Sequence, residues 1–256
     1  LGPSVDRMLI DEALAGLSSS ERWCVLPPET VADVAATIEG QLTLAAALEQ
    51  GGQGQLPEVA ELRARASALV ARLITSQDQS GGWRISAQEQ RPFLPASATA
   101  ARALAIARAH GITVPPTVLE SAANYLRASF GSGGPLADEG RAMAAAALAA
   151  SDQASFDQVS RLHRDRASLS DAALAYLAFA LVDMQRAPMA REVAAVLEDR
   201  AKSAGAAALW DSQRNTSWNK SSLETTALVV QALERAAPGS ARIAEGVAHL
   251  LAARPW

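Results

Sequence analysis

Hydrophobic and polar positions alternate between two patterns along this chain, and both have the period of an α-helix. In the first, apolar residues form one stripe. Residues 58–76 carry such a stripe at Leu62, Ala66, Leu69, Val70 and Leu73. In the second, apolar residues cover most of the circumference, as in residues 222–237, which predicts a helix buried on both faces. Alternating one-sided and all-apolar helices predict two layers of helical hairpins.

The alternation runs through the whole sequence and predicts eleven helices, arranged as five hairpins and half of a sixth. One-sided helices are predicted at residues 5–17, 58–76, 116–129, 156–165, 189–203 and 241–253. All-apolar helices are predicted at residues 29–50, 97–110, 138–150, 171–184 and 222–237. Two starts carry cap sequences, a capping box at Ser221-Ser222-Leu223-Glu224 and a weaker version at Ser168-Leu169-Ser170-Asp171. The last one-sided helix has no partner after it.

A closed ring and an open stack of hairpins both fit these elements. Solenoid repeats usually keep a fixed period. Here the spacing between Leu104, Leu148, Leu177 and Leu233 varies from 29 to 56 residues. We therefore expect an all-α fold, an α/α toroid of the α6/α6 type whose sixth hairpin is incomplete, formed by residues 1–256 as a single domain. The alternative is an α-solenoid.

The loops fall into two sets, and one set holds every tryptophan. Turns from all-apolar to one-sided helices are mostly short, whereas several of the return loops are long, so a hairpin array has a short-turn end and a long-loop end. Long loops on a rigid scaffold are common binding sites. The predicted binding residues at the long-loop end are Trp23, Trp83, Arg84, Trp210, Trp218, Asn219, Glu224 and Trp256. The alternative is that each tryptophan fills a gap between neighbouring hairpins.

Composition excludes several classes of function. The net charge of −4 offers no basic face for nucleic acid or anionic lipid. We expect no membrane insertion, because no apolar run approaches the ~18 residues needed to span a bilayer. A single cysteine, Cys24, excludes an internal disulfide. The chain does not begin with Met, so we expect it to be a piece of a larger multidomain protein. The lack of a signal-peptide pattern in its first residues therefore says little about its compartment.

Two segments resemble known families. The first segment is similar to a repeat of terpenoid cyclases and protein prenyltransferases. It reads Gln77-Asp78-Gln79-Ser80-Gly81-Gly82-Trp83 and is followed by Ala98-Thr99-Ala100. The second segment resembles the thioester domain of bacterial alpha-macroglobulins. It comprises Trp218, Glu224-Thr225-Thr226-Ala227 and the later residues from Leu250-Leu251 to Arg254-Pro255-Trp256. The first resemblance implies an α/α toroid. The second implies a module of a larger extracytoplasmic, periplasmic or secreted protein.

That family's chemistry is an internal thioester in a Cys-x-Glu-Gln motif, which acylates a target after proteolysis exposes it. Cys24 lies in the equivalent loop, but the sequence reads Cys24-Val25-Leu26-Pro27. Proline has no side-chain amide to condense with the thiol, so this motif forms no thioester. A distant partner for Cys24, such as Gln77, Gln79 or Gln213, remains an alternative. Otherwise Cys24 acts as a small buried hydrophobe.

Enzymatic alternatives are less well supported. Terpene cyclisation lacks its Asp-rich motif. His110, His163 and His249 are expected at the surface or at helix ends, away from the long-loop end, which disfavours a zinc site. A carbohydrate hydrolase or lyase remains the alternative, since it needs two carboxylates beside aromatic rings. Its candidate carboxylates are Asp78, Glu89, Asp138, Asp171, Asp211 and Glu224.

The sequence therefore favours a non-enzymatic, thioester-domain-like module of an alpha-macroglobulin-like protein without a working thioester. We expect a protease-inhibitor or protein-binding role and no cofactor. The expected partners are other domains of the same protein and a protease or another protein.

Overall fold

A computed structural model of the chain describes residues 30–86, 88–130, 137–211 and 221–253. These residues form ten α-helices and one short hairpin of strands. The helices are α1 (Val31–Gln50), α2 (Pro57–Thr75), α3 (Leu94–Ala109), α4 (Pro116–Ser129), α5 (Ala137–Ala150), α6 (Phe156–Arg164), α7 (Asp171–Asp183), α8 (Ala187–Asp199), α9 (Ser222–Ala236) and α10 (Ala241–Ala252). The strands are β1 (Lys202–Ala204) and β2 (Ala207–Leu209), and a 3-10 turn covers Arg166–Ser168. The all-α prediction is confirmed; the helix predicted at residues 5–17 lies outside the described residues.

The chain divides into two compact units, Leu1–Tyr125 and Leu126–Trp256. In the first unit α1 packs against α3, and α2 packs against both. In the second unit α7 packs against α5 and α9, while α6 contacts α5 and α7, α8 contacts α7 and α9, and α10 contacts α9 and β2. Apart from α10, these outer helices lie against the inner helices before and after them. The two-layer pattern therefore holds inside each unit, and the closed ring and the single domain stay predictions.

Burial separates inner from outer helices in most cases. Eleven of the sixteen residues of α3 and ten of the thirteen of α7 are buried, against five of nineteen in α2 and four of thirteen in α8. This confirms the distinction between all-apolar and one-sided segments for α3 and α7, whereas α1, also predicted to be all-apolar, has seven of its twenty residues buried. In α9 only seven of fifteen residues are buried, and Leu223 is 38% exposed. The prediction that both faces of α9 are buried is therefore corrected.

Side-chain caps begin three of the inner helices. Thr30 and Asp33 form a capping box at the start of α1. Ser170 accepts a hydrogen bond from the N–H of Ala173 at 3.2 Å, and Ser221 accepts one from Leu223 at 3.1 Å. Ser170 and Ser221 are thus the N-caps that the sequence predicts, because a hydroxyl there satisfies an amide that has no partner within the helix.

The first four inner helices all end in the same way. A residue with positive φ follows each helix, and the next N–H donates to the carbonyl five positions back, as in a Schellman motif. The positive-φ residues are Gly52 (75°), Gly111 (83°), Asp152 (60°) and Gln185 (59°). The hydrogen bonds run from Gln53 to Leu48, Ile112 to Ala107, Gln153 to Leu148 and Arg186 to Leu181. These ends produce the short turns that the sequence predicts at one end of the array.

The strand hairpin is the main departure from the predicted elements. Helix α8 ends at Asp199, four residues before the predicted end at residue 203, and Lys202–Ala204 then pairs antiparallel with Ala207–Leu209. Gly205 has φ 67°, which suits the tight turn between the strands. The alanine-rich segment favours a helix by propensity, so tertiary contacts of β2 with α10 override the local preference.

Helix α1 is the one described helix long and apolar enough to cross a membrane by length and composition, with a mean hydropathy of 1.3 over its best window. In this structure its buried stripe, which includes Ile38, Leu42 and Leu48, belongs to an inner helix that packs on α2 and α3.

Candidate functional site

The predicted site divides into residues that the structure describes and residues outside it. Outside the described residues are Trp23, Cys24, Pro27, Trp218, Asn219 and Trp256. Trp83, Arg84, Trp210 and Glu224 are described; the first three lie in segments that lead from an outer helix to the next inner helix, and Glu224 lies in the first turn of α9.

Trp83 ties the end of one outer helix to the start of the next inner helix. Its indole Nε1–H donates to the carbonyl of Leu73 near the end of α2 at 2.8 Å. Its backbone N–H donates to Ser97 Oγ in the first turns of α3 at 2.8 Å, and the same hydroxyl donates to the Trp83 carbonyl at 3.2 Å. The side chain has no exposed surface.

Trp210 repeats this arrangement in the second unit. Its Nε1–H donates to the carbonyl of Leu197 near the end of α8 at 2.7 Å. Its backbone N–H donates to Thr226 Oγ1 in α9 at 3.1 Å, and that hydroxyl lies 3.4 Å from the Trp210 carbonyl, to which it donates. We call each arrangement a tryptophan clasp. Its sequence signal is a Ser or Thr 14 or 16 positions after the tryptophan.

The clasps correct the expectation for two of the predicted binding residues. Trp83 and Trp210 are both fully buried, so neither ring is available to a partner in this conformation. For these two residues the alternative interpretation holds, in which the tryptophan fills the space between helices and satisfies a helix-end carbonyl. The sequence places them correctly in the loops before inner helices. It does not reveal that their N–H groups point back into the unit.

Arg84 and Glu224 are exposed, as a binding residue must be. Arg84 pairs with Asp78 at 3.2 Å, and Asp78 also accepts the N–H of Ser80 at 2.9 Å. These hydrogen bonds, those from Ser80 first and Arg84 next, lower the pKa of Asp78 below its ordinary value. Glu224 lies in the first turn of α9, where the helix dipole favours a carboxylate.

A buried ion pair fixes the start of α7. Asp171 is 2% exposed and lies 3.2 Å from Arg200, which caps the end of α8. Arg200 also donates to the carbonyls of Leu169 and Ala167, each at 2.7 Å. Burial raises the pKa of Asp171, and the hydrogen bond and charge of Arg200 oppose that rise. The pair connects two helices at the long-loop end of the second unit.

Glu139 is a buried carboxylate that the sequence analysis missed. It is 5% exposed in the first turn of α5 and accepts a hydrogen bond from Ser170 Oγ, the N-cap of α7, at 3.1 Å. The prediction named its neighbour Asp138, which pairs with Arg141 at 3.2 Å. The helical period is the missed signal, because Glu139 shares a face with the buried Ala142 and Ala146, three and seven positions later.

The carboxylates proposed for carbohydrate chemistry mostly have structural partners. Four of the six form ion pairs, namely Asp78 with Arg84, Asp138 with Arg141, Asp171 with Arg200 and Asp211 with Lys202. Glu89 and Glu224 are exposed. Within the described ranges no group of three or more His, Cys, Asp or Glu side chains is arranged to hold a metal ion.

One histidine is buried at the end of its helix. His163 is 8% exposed, and its Nε2 lies 3.3 Å from Glu192 of α8. Arg166 contacts the same carboxylate at 3.1 Å. His163 lies in the last turn of α6, as expected of a helix-end residue, but it is buried, so the surface alternative does not hold. His110 caps the end of α3, as expected of a helix-end residue.

The fold of this chain is similar to parts of several solved structures. The chain matches a crystal structure of native Escherichia coli alpha-2-macroglobulin that spans domain MG7 to the C-terminus, with 18% identity, a TM-score of 0.72 and 96% of this chain covered. It matches a Salmonella alpha-2-macroglobulin mutant, Y1175G, with 19% identity, the same TM-score and the same coverage. The chain shares its fold with part of bacterial alpha-2-macroglobulin.

The match covers only part of those proteins. The chain spans 39% of the Escherichia coli structure and 16% of the Salmonella one. A further neighbour is Salmonella alpha-2-macroglobulin reacted with methylamine, with a TM-score of 0.72 and 19% identity over 96% of this chain and 16% of that one. No protein-family model and no curated protein matches this sequence. At these identities the comparison establishes the alpha-macroglobulin-like fold and nothing finer.

Proposed function

We propose that the chain is a thioester-domain-like module of an alpha-macroglobulin-like protein and that it works by non-covalent protein binding, without catalysis. The observation that carries this proposal is the shared fold over 96% of the chain with alpha-2-macroglobulin. The Glu224-Thr225-Thr226-Ala227 segment supports it, because Thr226 completes a tryptophan clasp in this fold. A neighbour activated by trypsin links such proteins to proteases.

The missing glutamine distinguishes this module from a thioester-bearing one. A thioester forms when a cysteine thiol attacks the side-chain carboxamide of glutamine and ammonia leaves. Pro27, three positions after Cys24, has no carboxamide. Cys24 therefore keeps a free thiol, and the module holds its target without an acyl bond.

The binding surface is proposed to be the long-loop end, with partners in the same protein or a trapped protease. Arg84 and Glu224 are its described members, and Trp23, Trp218, Asn219 and Trp256 are its members outside the described residues. Trp83 and Trp210 are omitted because they are buried. We place the parent protein outside the cytoplasm, by analogy with its structural neighbours.

Methylamine treatment tests the absence of a thioester. Methylamine cleaves a thioester by forming the methylamide of the acyl side chain and releasing the thiol. We expect native protein to show an unchanged intact mass and one titratable thiol after unfolding, with or without methylamine. A mass gain of one methylamine with new thiol release would overturn this part of the proposal.

A matched variant shows that the assay can detect a thioester in this scaffold. Leu26→Glu with Pro27→Gln restores the Cys-x-Glu-Gln motif at Cys24. We expect that variant to lose ammonia and then react with methylamine. The binding role is tested separately, by asking whether Arg84→Glu or Glu224→Arg weakens association with the neighbouring domains of the parent protein. Unchanged association in both variants would remove the long-loop end from the proposal.

A further inference from the structure

We draw no further inference here: the strongest candidate, the outward side of α10 where Ala244, Val247 and Ala248 are exposed, is an apolar helix face, and nothing in the described part of the chain shows what covers it.

Discussion

Replacement of Thr226 by valine tests whether the tryptophan clasps hold the inner and outer layers together. The two side chains have nearly the same shape, and Thr226 is fully buried, so the change removes one hydroxyl from a closed site. The backbone N–H of Trp210 then loses its acceptor at 3.1 Å, and the Trp210 carbonyl loses a donor at 3.4 Å. Trp210 is itself buried, so water does not replace the hydroxyl.

The expected destabilisation is about 1–3 kcal/mol, the cost of leaving one buried donor unsatisfied. For a unit of this size, with a urea dependence of ~2 kcal/mol per molar, the unfolding midpoint of the second unit should fall by ~0.5–1.5 M. Urea titration followed by far-UV circular dichroism measures the shift. Hydrogen exchange should show that the Trp210 amide loses protection in the variant.

Two control variants show whether the loss of stability comes from the missing hydroxyl and whether the clasp of the first unit contributes a similar stability. Thr226→Ser keeps both hydrogen bonds and should retain the Trp210 amide protection, since Ser97 performs the same role for Trp83. Ser97→Ala should lower the stability of the first unit by a similar amount. A valine variant within ~0.5 kcal/mol of wild type, with an unchanged Trp210 amide, would refute the role assigned to the clasp.

Two further predictions concern a histidine and a glycine. Burial first, and then the charge of Arg166, lower the pKa of His163, and the charge of Glu192 opposes this change. The imidazole therefore binds a proton more tightly in the unfolded chain than in the folded one. The stability that His163 contributes is present above pH ~6.5 and is lost as the pH falls from there to the lower pKa of the folded state. His163→Gln should flatten this part of the pH profile of unfolding, and an identical slope in variant and wild type contradicts the assignment. Gly246→Ala puts a Cβ 2.4 Å from Val230 and 3.2 Å from the Trp210 ring, so the thermal midpoint should drop with a loss of about 1–3 kcal/mol. Gly40→Ala, at an exposed position of α1 where a Cβ would have no atom within 4 Å, should instead stabilise by about 0.5–1 kcal/mol. The same sign for both variants would contradict the packing described.

The helices were predictable because their signals are local. Pro116 and Ser129, the first and last residues of α4, match the prediction without a shift. Gly111, next to the end of α3, acts through its own backbone conformation. Ser170 and Ser221 act on amides two or three residues away. Signals that act over three residues or fewer can be recognised from the sequence alone.

The features that were missed depend on contacts between distant residues. The hairpin formed by Lys202–Ala204 and Ala207–Leu209 has an alanine-rich composition, and α10, which packs against β2, begins more than thirty positions after β2. Trp83 and Trp210 were placed in the correct loops, but the direction of each ring is set by a carbonyl 10 or 13 positions earlier and a hydroxyl 14 or 16 positions later. Pattern analysis places such a residue on an element but does not orient its side chain.

The short reach of the clasps has a consequence for how the chain folds. Each clasp closes loops of at most sixteen residues, and the entropy lost on closing a loop grows with its length. Contacts of low sequence separation form quickly. We therefore expect the hairpins to assemble one after another from the N-terminus during synthesis. Each completed outer helix then supplies the surface on which the next inner helix is docked before later hairpins exist.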